Sequence, residues 1–198
     1  SSVAAWMLAK QGHEVVGMYM RNWDERDERG ECPADRDWED VRRVCAALPR
    51  GGGLAPSHPP PTEINLVREY WQSVFSPFLE GYSSGLTPNP DVACNREIKF
   101  GAFRERALAY GVDAIATGHY ARVLHGGGGG GGGSGIERRG GVVGGKGFGT
   151  SQLWTARDAE KDQTYFLSHV SADQLASMLF PLGDLDSKRV TVRGLAAG

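Results

Sequence analysis

Thr87-Pro88-Asn89-Pro90-Asp91-Val92-Ala93-Cys94-Asn95-Arg96-Glu97-Ile98-Lys99-Phe100 is the stretch around which this 198-residue chain is organised. Two prolines one residue apart stiffen the backbone, because each fixes its own φ and pushes the preceding residue out of the helical region. A carboxylate, Asp91, and a thiol, Cys94, follow at once. From there the pattern turns helical: Ile98, Phe103, Ala107 and Leu108 recur every three to four positions until Gly111 ends the run. Cys94 is therefore expected at or just before a helix N-terminus, where unpaired N–H groups favour the thiolate. Asp91 opposes this, since one negative charge disfavours a second nearby. Read without context, the cysteine is equally a small buried hydrophobe.

Outward from this stretch the pattern alternates. Ser1 to Lys10 reads as a helix ended by Gly12, and Glu14 to Met20 as a strand buried on both faces. Asp35 to Leu48 reads as a helix with Trp38, Val41, Val44, Cys45 and Leu48 on one face, which makes Cys45 a core residue. Cys32 falls in the acidic loop before it and reads as structural. Glu63 to Val67 reads as a short strand. The helix from Glu69 to Ser83 should kink at Pro77, and its aromatic stripe reads as core. Asp113 to Thr117 is a further buried strand, ending in Gly118-His119-Tyr120. Beyond a glycine-rich stretch, Lys161-Asp162-Gln163 leads into an apolar run. Ser171 to Gln174 has the form of a capping box opening a helix to Leu179, and a last helix is expected from Asp186 or Ser187. Strand and helix in alternation predict an α/β fold with a parallel sheet, whose ligands sit beyond the carboxyl ends of the strands.

Composition sets outer limits. The formal net charge is −2 with 23% charged residues, so any contact with nucleic acid must use a local basic surface. No run of about 18 apolar residues is present to span a membrane. Three cysteines, at positions 32, 45 and 94, have no metal-type pairing and do not form a secreted disulfide framework. Much of the unusual glycine content, 29 residues, lies between Gly126 and Gly149. That stretch reads as an insertion with little to bury, dividing a domain over 1–125 from a helical region over 151–198.

TPNPDVACNREIKFGA, residues 87 to 102, resembles the signature of the tRNA-specific 2-thiouridylases. The resemblance extends over the chain apart from two low-complexity patches, the glycine-rich stretch and Gly51-Gly52-Gly53 with Pro56, Pro59, Pro60 and Pro61. It implies an adenine-nucleotide alpha-hydrolase-like (Rossmann-like) domain with the start of a smaller tRNA-binding region, here residues 151–198. It implies ATP, with Mg2+, as the cofactor, and the anticodon loop of tRNA and a persulfide-delivering sulphur-donor protein as partners, acting on a monomer. Cys94 becomes the catalytic nucleophile, and Asn89, Pro90 and Asp91 contact the target base, with Asp91 also catalytic. Ser1 to Ala5 is similar to the tail of the family's phosphate loop, Val16 to Met20 with Asn22-Trp23 to the strand whose final Met lines the adenine pocket, and Thr117 to Tyr120 to a second ATP-contacting turn, so Ser1, Met20 and Gly118 are implied ATP contacts. Lys161, Asp162 and Gln163 are implied tRNA contacts. The implied reaction activates uracil O2 of the wobble uridine with ATP and replaces it with persulfide sulphur.

Two departures qualify the resemblance. Most of the phosphate loop and the second, persulfide-carrying cysteine are not in this sequence, which reads as a piece of a longer enzyme expected to be inactive alone. Arg96, Lys99, Arg104 and Arg106 could hold phosphates, with a solvated helix face as the plainer reading of Arg104 and Arg106. A non-catalytic RNA-binding remnant and an ATP-pyrophosphatase acting on a small molecule remain the rival functions. The low-complexity patches suggest a eukaryotic source and hence a mitochondrial location, with the cytoplasm otherwise.

Overall fold

The computed structural model describes residues 1–23, 33–49, 58–125 and 151–186. Its first half is a strand–helix–strand unit. Helix α1 (Ser2–Lys10) buries Ala4, Leu8 and Ala9 and closes at Gln11, with Gly12 at φ 89° turning the chain. Strand β1 (Met18–Arg21), helix α2 (Pro33–Ala46) and strand β2 (Thr62–Asn65) follow. The two strands pair in parallel, Met18 with Thr62 and Met20 with Ile64. β1 starts four residues later than the apolar pattern suggests. In α2 the predicted stripe faces inward: Trp38, Val41, Val44 and Cys45 are half-buried and Leu48 just beyond is buried. Cys45 packs so closely on Gly17 that a Cβ there would lie 2.3 Å from its sulphur.

The run from Glu69 to Ser83 is not one helix with a kink. Helix α3 (Val67–Tyr70) continues as a π-helical segment over Trp71–Phe75, and helix α4 (Ser76–Ser83) carries Pro77 in its first turn. The π-helical segment ends just ahead of that turn, where a proline is tolerated because its missing N–H is not needed. Helix α5 (Pro90–Ala93) and a second π-helical segment, Cys94–Ala102, lead to helix α6 (Phe103–Tyr110). Gly101 kinks this passage at φ −98°, ψ −106°, and Gly111 closes α6 in the left-handed region at φ 101°.

Two more strand pairs complete the described residues. Strand β3 (Ile115–Ala116) pairs in parallel with strand β6 (Met178–Leu179), and strand β4 (Ala121–Leu124) pairs antiparallel with strand β5 (Gln152–Thr155). The α/β character thus holds, with one antiparallel pair that the sequence did not announce. Helix α7 (Ala172–Leu175) has the full capping box, Ser171 Oγ accepting from Gln174 N and Gln174 Oε1 from Ser171 N, but it stops well before Leu179. Met178 is fully buried beside β3, so strand pairing takes the last apolar residues out of the helix.

The segment expected to be helical therefore supplies strands as well, and it shares a core with what precedes it. Phe100, Ala107, Ile115 and Ala121 pack with Leu167, Val170, Leu175, Met178 and Phe180. A second cluster holds Ile64, Leu66, Val74, Cys94 and Ile98, and Met18 and Phe103 touch both. Cys32, the glycine-rich stretch and the expected last helix lie outside the described residues.

Candidate functional site

Asn89 decides the local geometry of the central stretch. Its side-chain oxygen accepts from Asp91 N at 3.0 Å and Val92 N at 3.2 Å, which makes it the N-cap of α5. Pro90 occupies the first helical position, where its fixed φ suits the helix and its missing N–H costs nothing. The helix therefore begins four residues before Cys94, not at it. Dipole stabilisation fades beyond the first turn, so the expected thiolate loses its support. Asp91 stands exposed in that first turn, while Cys94 is only 7% exposed among Ile64, Leu66, Val74 and Ile98.

Burial pushes the Cys94 thiol above its ordinary pKa, and Asp91 adds to the rise while Lys99 opposes it. In this structure the sulphur is a buried thiol. Two titratable groups and a methionine lie around it. Tyr70, which the sequence gave no reason to single out, has its hydroxyl pKa raised by burial and then by Cys94 and Asp91. Lys99 acts on Cys94 and also on His119. Met20, at the end of β1, packs against the cluster that contains Cys94.

The two other implied nucleotide contacts meet each other. A Cβ on Gly118 would lie 2.5 Å from the Ser1 nitrogen and 3.1 Å from its Cα, so the turn after β3 meets the start of α1 most closely through backbone. Only glycine fits at so close an approach of two chain segments. Beside it His119 is wedged between Phe100 and Phe180, at 5.6 and 6.0 Å between ring centres, and bonds through Nδ1 to Thr117 Oγ1 at 2.8 Å. Burial above all, then Lys99, lowers its pKa to about 4, so the ring is neutral near pH 7. Among the described residues no group of three or more His, Cys, Asp or Glu could hold a metal ion. A Mg2+ arriving with ATP would take ligands from the phosphates.

Lys161, Asp162 and Gln163 divide by role. Asp162 accepts from Ala156 N at 2.6 Å, Thr164 N at 3.1 Å and Thr164 Oγ1 at 2.8 Å, closing the turn after β5. Gln163 exchanges bonds with Tyr120, donating from its backbone N at 2.9 Å and accepting from Tyr120 N through Oε1 at 3.0 Å. Only Lys161 is exposed. Of the basic cluster, Arg104 bonds Ser177 Oγ and Asp173 O, Arg106 bonds Asn65 O and Glu69, and Arg96 bonds Glu97. Arg104 and Arg106 thus tie elements together instead of facing a ligand.

This arrangement can be set against known proteins. Residues 1–198 match the family described as the tRNA methyl transferase HUP domain. The chain belongs to that family. It is 46% identical over 190 residues, 96% of its length, to the tRNA-specific 2-thiouridylase MnmA of Bacillus pumilus (strain SAFR-032), covering 43% of that protein. It is 43% identical over 198 residues, its whole length, to the same-named protein of Bacillus licheniformis, covering 45% of it. The corresponding Bacillus subtilis protein is 44% identical over 190 residues. The chain thus spans less than half the length of the curated relatives it matches. Membership in the HUP family bears out the nucleotide-hydrolase-like α/β fold expected above. These relatives are bacterial, which lends the mitochondrial expectation no support. No helix among the described residues is long and apolar enough to cross a membrane.

Proposed function

We propose that this chain is the nucleotide-binding part of an ATP-dependent tRNA-uridine 2-sulfurtransferase acting at the wobble position. The observation that carries the reading is the unit built on Asn89, in which one capped turn holds an exposed Asp91 a helical turn ahead of Cys94. ATP supplies activation of the uracil O2 as a leaving group. The backbone junction of Ser1 and Gly118 and the end of β1 at Met20 are the parts of this chain suited to hold it. Asp91 accepts a hydrogen bond from the uracil N3–H, with Asn89 and Pro90 fixing its position. Lys161 contacts the RNA backbone, and Asp162 and Gln163 hold Lys161 in place.

Cys94 serves as the nucleophile toward a persulfide carried by a cysteine outside this chain. Its thiolate attacks the inner sulphur, a disulfide forms, and hydrosulfide leaves to displace the activated oxygen at C2. Burial keeps the thiol protonated, so the step requires substrate to open the cluster over Cys94, with Lys99 stabilising the anion. A sulphur-donor protein charges the persulfide, and the enzyme acts as a monomer. Burial of Cys94 also favours a rival reading, RNA binding without catalysis. Nucleoside mass spectrometry of a thiolation-deficient strain carrying the full-length gene separates the two. The proposal expects wobble 2-thiouridine to return with the wild type and not with Cys94→Ser. Equal recovery with Cys94→Ser would overturn it.

A further inference from the structure

The described surface carries an aromatic patch around Trp71 that the proposed function does not use. Trp71 is 48% exposed although it sits on a π-helical segment whose neighbour Val74 is 1% exposed. Its ring lies nearly parallel to that of Trp23, 22° apart with centres 6.1 Å apart, and Phe75 closes on both at 4.7 and 5.2 Å. Trp71 and Arg68 line a surface groove of about 410 Å³ together with Asn65, Val67 and Gln72. The nearby acid, Glu69, is paired with Arg106, and Arg68 is exposed with no ion pair among the described residues. The groove therefore offers, side by side, an exposed ring and a guanidinium that has no ion pair among the described residues. It adjoins the site, because Tyr70 packs on Trp23 at 6.1 Å and lies in the field of both Asp91 and Cys94.

We propose that Trp71 is a stacking platform for an unpaired nucleobase next to the one delivered to Cys94, with Arg68 holding the adjoining phosphate. The inference rests on the reading of an RNA loop as substrate. Single-stranded nucleic acid is held by this combination: base faces stack on aromatic rings while cations follow the backbone. The charge beside the ring favours a polyanion, whose phosphates an arginine holds. Ring contacts with Trp23 and Phe75 hold Trp71 in place.

The test uses the full-length protein and a fluorescein-labelled anticodon stem-loop, with anisotropy giving Kd over a range of salt and thermal unfolding run in parallel. Trp71→Leu should weaken binding about tenfold, and Trp71→Phe, which keeps a ring, by less than about threefold. Arg68→Gln should lower the slope of log K against log salt by about 0.7, the value for one phosphate on a single strand. Unchanged affinity in Trp71→Leu overturns the inference while leaving the thiolation reading in place. A lower Tm in Trp71→Leu with unchanged RNA affinity also overturns it, by showing the ring covered by another part of the parent chain. Failure of the wild-type protein to bind the stem-loop removes both.

Discussion

Gly118 and Ser1, 117 positions apart in the chain, meet most closely through backbone: a Cβ on Gly118 would stand 2.5 Å from the Ser1 nitrogen. Backbone cannot yield as the tip of a flexible side chain can. Gly118→Ala should therefore separate the turn after β3 from the start of α1, at a cost on the order of 1–3 kcal/mol. The expected result is a Tm lowered by several degrees and ATP binding by the full-length protein weakened at least about tenfold, which is about 1.4 kcal/mol. Calorimetric titration with ATP checks it, and wild-type affinity in the variant would refute the junction as a nucleotide contact.

Cys94 should alkylate slowly. Because burial raises its pKa, the iodoacetamide reaction of this thiol should have its pH midpoint above the ordinary thiol value, and bound substrate RNA should accelerate it. The linkage has a definite sign. The folded state holds the proton more tightly than the unfolded one, so this contribution to stability is intact below about pH 8.5 and declines as pH rises beyond it. Cys94→Ala should flatten that alkaline decline in chemical denaturation.

His119 has the opposite dependence. Its pKa in the fold is about 4, against about 6.5 unfolded, so the unfolded chain binds the proton first as pH falls. Stability attributable to this ring is present above about pH 6.5 and is lost progressively toward pH 4. His119→Phe should reduce the slope of Tm against pH in that window. An unchanged slope would show that the ring titrates normally.

Asp162 and Lys161 should separate structure from binding. Asp162→Ala strands the N–H groups of Ala156 and Thr164, and each buried donor left unpaired costs about 1–3 kcal/mol. A clear drop in Tm is expected. Lys161→Ala, at an exposed position, should leave Tm within a degree or so of wild type and weaken tRNA binding in a salt-dependent way. The reverse pattern would reassign both residues.

Asn89→Ala removes the cap on α5 and should cost about 1 kcal/mol, whereas Asn89→Asp should retain most of it. Thiolation should fall with the Ala variant more than stability does, because Asp91 and Cys94 both depend on that first turn. Equal losses would argue for a purely structural cap.

The central stretch and the punctuation around it were legible because each rests on local chemistry. Gly111 ends α6 where only glycine is comfortable, and Ser171 with Gln174 closes a capping box three residues apart. The helix start was misplaced because a proline after an asparagine reads as a stiff turn or as a cap and first helical position. The choice depends on whether the Asn89 side chain reaches Asp91 and Val92. Met178 and Leu179 continue a helical pattern and become strand only because Ile115 and Ala116 lie beside them, 63 positions back in the chain. The exposure of Trp71 was invisible for the same reason: periodicity gives spacing, and tertiary contacts decide which side of an aromatic stripe is covered. Ser1 and Gly118 were found by resemblance, and their contact only by the fold.

The antiparallel ladder of β4 and β5 binds Leu124 to Gln152 and Ala121 to Thr155. Partners in such a ladder stand about 5 Å apart, so the chain departs from and rejoins the fold at nearly one point. Whatever joins those ends has little distance to bridge, and doubling a loop's length costs only about 0.6 kcal/mol. The architecture thereby leaves the stretch between residues 125 and 151 open to drift in length over generations. Shortening the connection to a tight hairpin should leave the described fold intact.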